Sequence, residues 1–556
     1  MLTRRDFLKA SAAAAGLAAT HPWQALAASA GTVTAALPDP ATAPFDHVIV
    51  LMMENRSFDH FLGWLPGADG RQAGLAFTDK AGTTYPTYDL APDFQGCGFE
   101  DPDHSWEGGL KQLSGGSMAG FLQTPTNPGD TFPIGFYTEA SLPVLGALAR
   151  NYTVSDNYFC SILAETYPNR FYQHAARTYA DHNGDATSAG FTTMPAIWDL
   201  LATAGLTGRY YSTDLPFTAL WGPKFASITK PFAQFAVDCA AGQLANVTFV
   251  DPEFVDEGSG FSRDDHPHAD VRAGEAFIGE VYDIVRHHNP HWDRTVFIIN
   301  YDEWGGFYDH VRPPVVVDDT VEAEASKGKA HPNYGQLGFR VPNVVISPFA
   351  PAGRVVSGGA PFDHTSVLKM IEWRFGLPAL TARDANARNL AEMLDFSTPR
   401  TDDPAIPQGI AGIASVPCGP TSVAARRPDP ISGPGGSGGS GGSGSGSGSG
   451  GATAAPGGAL PRTGTDTRPL FLAGVAAMGA ALAVRHITKD PTADPTAAMY
   501  RSDLPESVFC PVTQASSTAA GPDSTRPITV NPASDTSPAT SPGSTEASSP
   551  PEVCGS

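Results

Sequence analysis

The chain has 556 residues, with 35 basic against 57 acidic side chains and a formal charge of −22. An acid excess of this size excludes nucleic acid and polybasic lipid-binding faces as organising functions. No apolar run reaches the roughly 20 residues of an ordinary spanning helix, which excludes a polytopic membrane protein. Six cysteines (97, 160, 239, 418, 510 and 554) form no C-x-x-C pair and are too few for a disulfide-built scaffold. One or two bridges fit an exported protein, and the sequence does not pair them.

In chain order, the first segment reads Arg4-Arg5-Asp6-Phe7-Leu8-Lys9 before an Ala-rich stretch, with small residues suited to cleavage at Ala25-Leu26-Ala27 or Ala28-Ser29-Ala30. Residues 1–30 resemble a twin-arginine export signal. Its machinery is an expected partner, and export in the folded state is implied.

Residues 40–400 are expected to form the catalytic domain. The run 47–53 is a buried strand that stops at Glu54-Asn55-Arg56-Ser57. Trp106 follows the polar loop carrying His104. Next comes Glu165-Thr166-Tyr167-Pro168-Asn169-Arg170, where Pro168 suits a first helical turn and sets Thr166 at the helix start. A hydroxyl there is favourably placed for an anion and can act as a nucleophile beside a cation; an isolated Thr in that place is more often a simple cap. In Asp264-Asp265-His266-Pro267-His268, the carboxylates are expected to keep His266 protonated. The run 295–301 is a second strand, ending in Asp302-Glu303-Trp304, and 341–347 is a third. His310 lies near the second acidic corner, and His364 at a helix start reads as structural.

Near-continuous apolar strands separated by helices predict an α/β fold: a three-layer α/β/α sandwich with a largely parallel central sheet. Ligands bind beyond the carboxyl ends of such strands, where Glu54, Asn55, Asp302 and Glu303 fall. With Thr166 these make an all-oxygen set suited to one hard or borderline divalent metal ion.

The C-terminal third reads differently. Residues 401–459 are a Pro/Gly/Ser-rich linker. Residues 460–489 join Leu460-Pro461-Arg462-Thr463-Gly464 to the apolar run 470–484 and to Arg485, His486 and Lys489. This segment resembles a sortase cell-wall sorting signal, with the apolar run expected as a short transmembrane helix; a sortase and the cell wall are implied partners. Residues 490–556 are expected to be a disordered tail.

Glu54-Asn-Arg-Ser-Phe-Asp-His60, Thr166-x-Pro-Asn-Arg170, Asp264-Asp-His-Pro267, Tyr301-Asp-Glu-x-Gly-Gly-Phe-Tyr-Asp-His-Val311 and Gly338-x-Arg-Val-Pro342 resemble the bacterial phosphoesterase family of secreted phospholipases C and acid phosphatases. That family belongs to the alkaline-phosphatase-like superfamily, and the match runs in order from about 45 to 380. The resemblance implies one metal on Glu54, Asn55, Asp302, Glu303 and Thr166, nucleophilic attack by Thr166, and His104 and His266 facing the phosphate. Asn169, Trp304 and Trp106 are expected to bind substrate, with His310 and Asp265 supporting from behind. The substrate is expected to be a phospholipid or a small phosphate ester, cleaved through a covalent phosphothreonine. A non-catalytic wall-anchored surface protein is the reading from another class. A sulfatase is excluded because Thr166 cannot yield formylglycine, and the Gly-x-Ser-x-Gly matches lie in the Gly/Ser stretch, away from any strand–helix elbow.

Overall fold

The computed structural model describes residues 37–188, 190–254, 262–320, 333–407, 417–419 and 425–431. All belong to one compact unit, residues 1–491; the second unit, 492–556, lies outside the described residues, as do the export signal, the sorting-like segment and the tail.

The principal elements are β1 (His47–Met53), α1 (Phe58–Leu62), α2 (Trp106–Leu113), α3 (Pro143–Asn151), β2 (Thr153–Ser155), α4 (Thr166–Ala175), α5 (Ile197–Thr203), β3 (Gly208–Ser212), β4 (Thr229–Pro231), α6 (Ala233–Ala240), β5 (Val247–Asp251), α7 (Val271–His287), β6 (Thr295–Tyr301), β7 (Asn343–Ile346), β8 (Val355–Val356) and α8 (His364–Phe375). The strands form one eight-stranded sheet in the order β8-β2-β7-β6-β1-β5-β3-β4. Helices α4, α5 and α8 make one contacting group and α3, α6 and α7 another. With the sheet they give the expected three layers. Every residue of β1 and β6 is buried, which is why both read as unbroken apolar runs rather than alternating ones.

β1 pairs in parallel with β6 from His47↔Thr295 to Met53↔Tyr301, and with β5 on its other side. That register brings the residues after Met53 and after Tyr301 to the same rim. β7 is an exception within the largely parallel sheet. It runs antiparallel to both β6 and β2, so its amino end, preceded by Arg340, faces the rim and Ser347 leaves at the opposite side.

Two further expectations need correcting. The linker begins later than Thr401, because Cys418 is bonded to Cys97, and Ala425, Arg426, Arg427 and Ile431 pack on or hydrogen-bond to the segment 84–99. A bridge between residues 321 apart has no local spacing signature. The transmembrane helix is also withdrawn: among the described residues no helix is long and apolar enough to cross a membrane. The run 470–484 lies outside those residues.

Glu275 on α7 locks the second helical layer. Its carboxylate accepts from Val144 N at 2.5 Å and Leu145 N at 3.0 Å, at the start of α3, where Leu142 offers no side-chain cap. Glu275→Ala leaves two buried N–H groups without a partner and is expected to cost about 2–3 kcal/mol. Urea unfolding measures this, with Glu275→Gln losing less.

Candidate active site

The in-register ends of β1 and β6 are stitched together beyond the sheet. Asp302 N donates to Met53 O at 3.0 Å, Asn55 N to Asp302 Oδ1 at 3.1 Å, and Arg56 N to Glu303 O at 3.1 Å. Asn55 takes a left-handed backbone (φ 61°), and Gly305 (φ 62°) passes so close that a Cβ there would lie 2.0 Å from Asn55 O. Glycine is therefore required where the two corners meet.

Thr166 is the first residue of α4 rather than its cap, and it is only 3% exposed. Its hydroxyl donates to Glu54 Oε2 at 3.4 Å, and Asn55 Nδ2 donates to the same oxygen at 2.9 Å. Thr166, Glu54, Asn55, Asp302 and Glu303 thus form one contiguous cluster. Within it, Asn55 Oδ1, Asp302 Oδ2 and Glu303 Oε1 are buried side-chain oxygens without a hydrogen-bond partner. Native interiors rarely leave such atoms unpaired. The two unpaired oxygens of Asn55 and Glu303, with Asp302 Oδ2 held only by Arg170 Nε at 3.4 Å, make an all-oxygen set that fits a divalent cation.

The electrostatics agree. Burial holds Glu54 well above the usual carboxylate range, Asp302 at about 6 and Glu303 at about 8. Asp251, at the end of β5, is raised to about 6, and Asp264, beside Glu54, is also pushed well up by burial. Against these five acids stands Arg170, whose guanidinium pairs with Glu54, with Asp251 at 3.1 Å and with Asp302 at 3.4 Å. Sequence reasoning missed Asp251, Asp264 and the role of Arg170. Asp251 carried a usable signal, since it ends the short apolar run of β5 on the same rim.

His104 and His266 lie edge to face, with ring centroids 5.7 Å apart, in a group with Asp101. Their protonation reverses the sequence expectation. Burial drives His266 down to about 4. Burial also pulls on His104, but Glu303, Asp101 and Glu165 outweigh it and hold that ring at about 10.

Several expected roles do not match the positions found. Asn169 spends its amide on the loop before α4, accepting from Ile162 N at 3.0 Å and donating to Ala164 O at 2.8 Å and Glu165 O at 3.1 Å, so it shapes the approach to Thr166. Trp304 is fully buried, donating to Gln112 Oε1 at 2.7 Å and packing on Phe339, and offers no face to a ligand. Trp106 is half-buried beside Tyr334. Asp265 accepts from Tyr301 Oη at 2.7 Å; its neighbour Asp264 is the one beside Glu54, accepting from Glu54 N through its carbonyl at 2.8 Å. His310 binds Asp59 at 2.5 Å and Asp69 at 3.1 Å. It belongs to a separate network in which Arg340 neutralises Asp59 and Asp309. That network joins α1, the loop after β6 and the entry to β7.

Acid–histidine groups able to hold a metal occur twice among the described residues: Asp101, His104 and His266, and Asp59, Asp309 and His310. In the second, both carboxylates are already fully engaged by Arg340, His310 and backbone N–H groups.

The phosphoesterase family model matches residues 45–378, which contain every residue of this cluster. The chain belongs to the phosphoesterase family. It is a hydrolase acting on phosphate esters, and it carries a twin-arginine translocation signal over residues 1–21, which marks it for export. Phospholipase C B of Mycobacterium tuberculosis is 33% identical over 471 residues, covering 72% of this chain and 86% of its own. Non-specific phospholipase C6 of Arabidopsis thaliana is 31% identical over 405 residues, covering 65% and 74%. A phosphonate monoester hydrolase of Agrobacterium radiobacter overlays at a TM-score of 0.29 with 9% identity, covering 64% and 79%.

Proposed function

We propose that this phosphoesterase is a metal-dependent, phospholipase C-type hydrolase that works through a covalent phosphothreonine at Thr166. The support for the reading is the pair of unpaired oxygens of Asn55 and Glu303 beside the Thr166 hydroxyl, with Asp302 Oδ2 held only by an ion pair to Arg170 at 3.4 Å. Glu54, Asn55, Asp302, Glu303 and the Thr166 oxygen would hold one divalent ion, which supplies Lewis-acid charge neutralisation when bound.

The chain's own groups divide the remaining work. Thr166 Oγ1 attacks phosphorus while its proton passes to Glu54 Oε2. The bond to the leaving oxygen breaks, and that oxygen takes a proton from His104, whose acidic neighbours Asp101, Glu165 and Glu303 favour the protonated ring. A water then attacks the same phosphorus and gives its proton to the now neutral His104. Threonine leaves and recovers its proton from Glu54. Arg170 fixes Glu54 and Asp302, and Asn169 fixes the loop that presents Thr166.

The phospholipase relatives favour a phospholipid substrate, and the alternative within the family is a phosphomonoesterase. An aromatic cage for a choline headgroup has little support, because Trp304 and Tyr308 are fully buried and Trp106 alone stays partly open. Purified protein assayed on phosphatidylcholine vesicles and on an aryl phosphate is expected to cleave the lipid, releasing diacylglycerol. Turnover of the aryl phosphate alone would make it a phosphomonoesterase, and no turnover of either would favour the non-catalytic surface protein. The domain scheme, with residues 40–400 as catalytic core and Leu460-Pro461-Arg462-Thr463-Gly464 as a sortase substrate at the cell wall, is part of the same proposal. Its support is the order of the sequence segments.

A further inference from the structure

The bond between Cys97 and Cys418 lies on the loop that leads to His104, which follows Cys97 by seven positions. The residues around Cys97 are tightly packed. Phe99 stacks on Phe132 with ring centroids 4.9 Å apart, and the Arg427 guanidinium lies 5.5 Å from the centroid of the same Phe99 ring. A Cβ on Gly98 would meet Ala425 Cβ at 2.6 Å, and one on Gly96 would strike the Phe132 ring. Phe132 in turn stacks against His268, and Gln95 Nε2 donates to His268 O at 3.4 Å. Residues 95–99 therefore support both loops that carry the site histidines, His104 along the chain and His266 through His268. Residues 425–431 hold them from outside by exposed hydrogen bonds, Arg426 to Ala91 O at 3.3 Å and Arg427 to Gly98 O at 3.5 Å, with Ile431 N donating to Thr84 O at 2.8 Å. Long bonds between exposed groups add little, so the disulfide is the firm link. Glu54, Asn55, Thr166, Asp302 and Glu303 are held instead by the ends of β1 and β6 and the start of α4.

We infer that the Cys97–Cys418 bond is a redox clasp that sets the two histidine loops for catalysis and closes only after export. The catalytic half of this inference rests on the proton-donor role given to His104 above; the structural half does not. The cytoplasm keeps thiols reduced, and the chain carries a twin-arginine signal. With export in the folded state, it crosses as the dithiol, with the clasp open. Outside, a donor disulfide oxidises both thiols: the sulfur–sulfur bond forms, two electrons and two protons pass to the donor, and the donor leaves as two thiols. Until then His104 is poorly aimed, and esters with an alkoxide leaving group are cleaved slowly. The enzyme is thereby held back while it shares a compartment with the phospholipids of its own cell.

The test compares three full-length samples: oxidised wild type, wild type reduced with a phosphine, and Cys418→Ser. Cys418 is exposed, so the serine leaves the core packing intact. Hydrogen exchange is read at residues 95–104 and in β1 and β6. Leaving-group release in the first turnover is read on two phosphocholine esters. One is phosphatidylcholine, whose glyceride alkoxide needs a proton; the other is the p-nitrophenyl ester, whose phenolate does not. Reduction and Cys418→Ser are each expected to speed exchange at 95–104 and to leave β1 and β6 unchanged. Both should slow diacylglycerol release by about 100-fold while changing nitrophenol release little. Glutathione disulfide should restore reduced wild type but not Cys418→Ser. Unchanged exchange at 95–104, undiminished diacylglycerol release, or an equal loss on both esters would each overturn the inference. If oxidised wild type cleaves neither ester, the function proposed above falls, and the exchange result decides the structural half by itself.

Discussion

Thr166→Ala is expected to lower turnover by about 10⁴-fold or more while leaving the unfolding midpoint nearly unchanged. The separation of the two effects follows from the position of the side chain. Thr166 opens α4 but does not cap it, and among the described residues its hydroxyl makes the 3.4 Å hydrogen bond to Glu54. The fold therefore loses little, whereas the reaction loses its nucleophile. Thr166→Ser keeps the hydroxyl and should retain measurable turnover. Steady-state kinetics and a thermal melt on the same preparations make the comparison. Near-normal turnover in the alanine variant would end the phosphothreonine mechanism.

Arg170→Ala is expected to have the largest effect on stability. The guanidinium is fully buried and pairs with Glu54, Asp251 and Asp302. Its removal leaves three buried carboxylates without their only shared cation, in a rim where Asp264 and Glu303 already oppose ionisation. Breaking a buried pair in this way costs about 3–5 kcal/mol. The loss should be greatest in chelator, because a divalent ion on Glu54 and Asp302 would replace part of the missing positive charge. Urea unfolding with and without chelator measures both parts. A loss that is equal in the two conditions would mean that the ion and Arg170 do not share these carboxylates.

The rim was legible in the sequence wherever one strand decided it. Apolar runs 47–53 and 295–301, each stopped by acidic residues, gave both corners, and equal-length parallel pairing brought them level. Thr166 was legible from Pro168, because a proline in a first turn marks a helix start. What depended on long-range packing was not legible. The direction of β7 is set by its neighbours, since an apolar run carries no polarity of its own. Trp304 reads as a site aromatic by adjacency, yet just before the Gly305-Gly306 turn it packs into the core against Phe339 and donates to Gln112. Asn169 lies one turn from Thr166 and reads as a ligand; the loop beneath it consumes its amide. The expected protonation of His266 was not legible, because adjacent acids in sequence are not the acids that surround a ring in space. His266 follows two aspartates but is governed by burial, while His104 is governed by Glu303 from a distant strand. Cys97 and Cys418 could be paired only by the fold.

Ester cleavage by the proposed mechanism requires a divalent ion held by the ends of β1 and β6. The most direct measurement is the metal stoichiometry and phosphoesterase activity of wild type and Asp302→Asn, each stripped with chelator and then titrated with divalent metal. Wild type is expected to lose activity on stripping and to recover it as the ion returns. Asp302→Asn, which removes a ligand charge while keeping the shape, should bind that ion at least about 100-fold more weakly and stay inactive at the same metal concentration. Full activity in stripped wild type, or normal metal binding and turnover in Asp302→Asn, would contradict it.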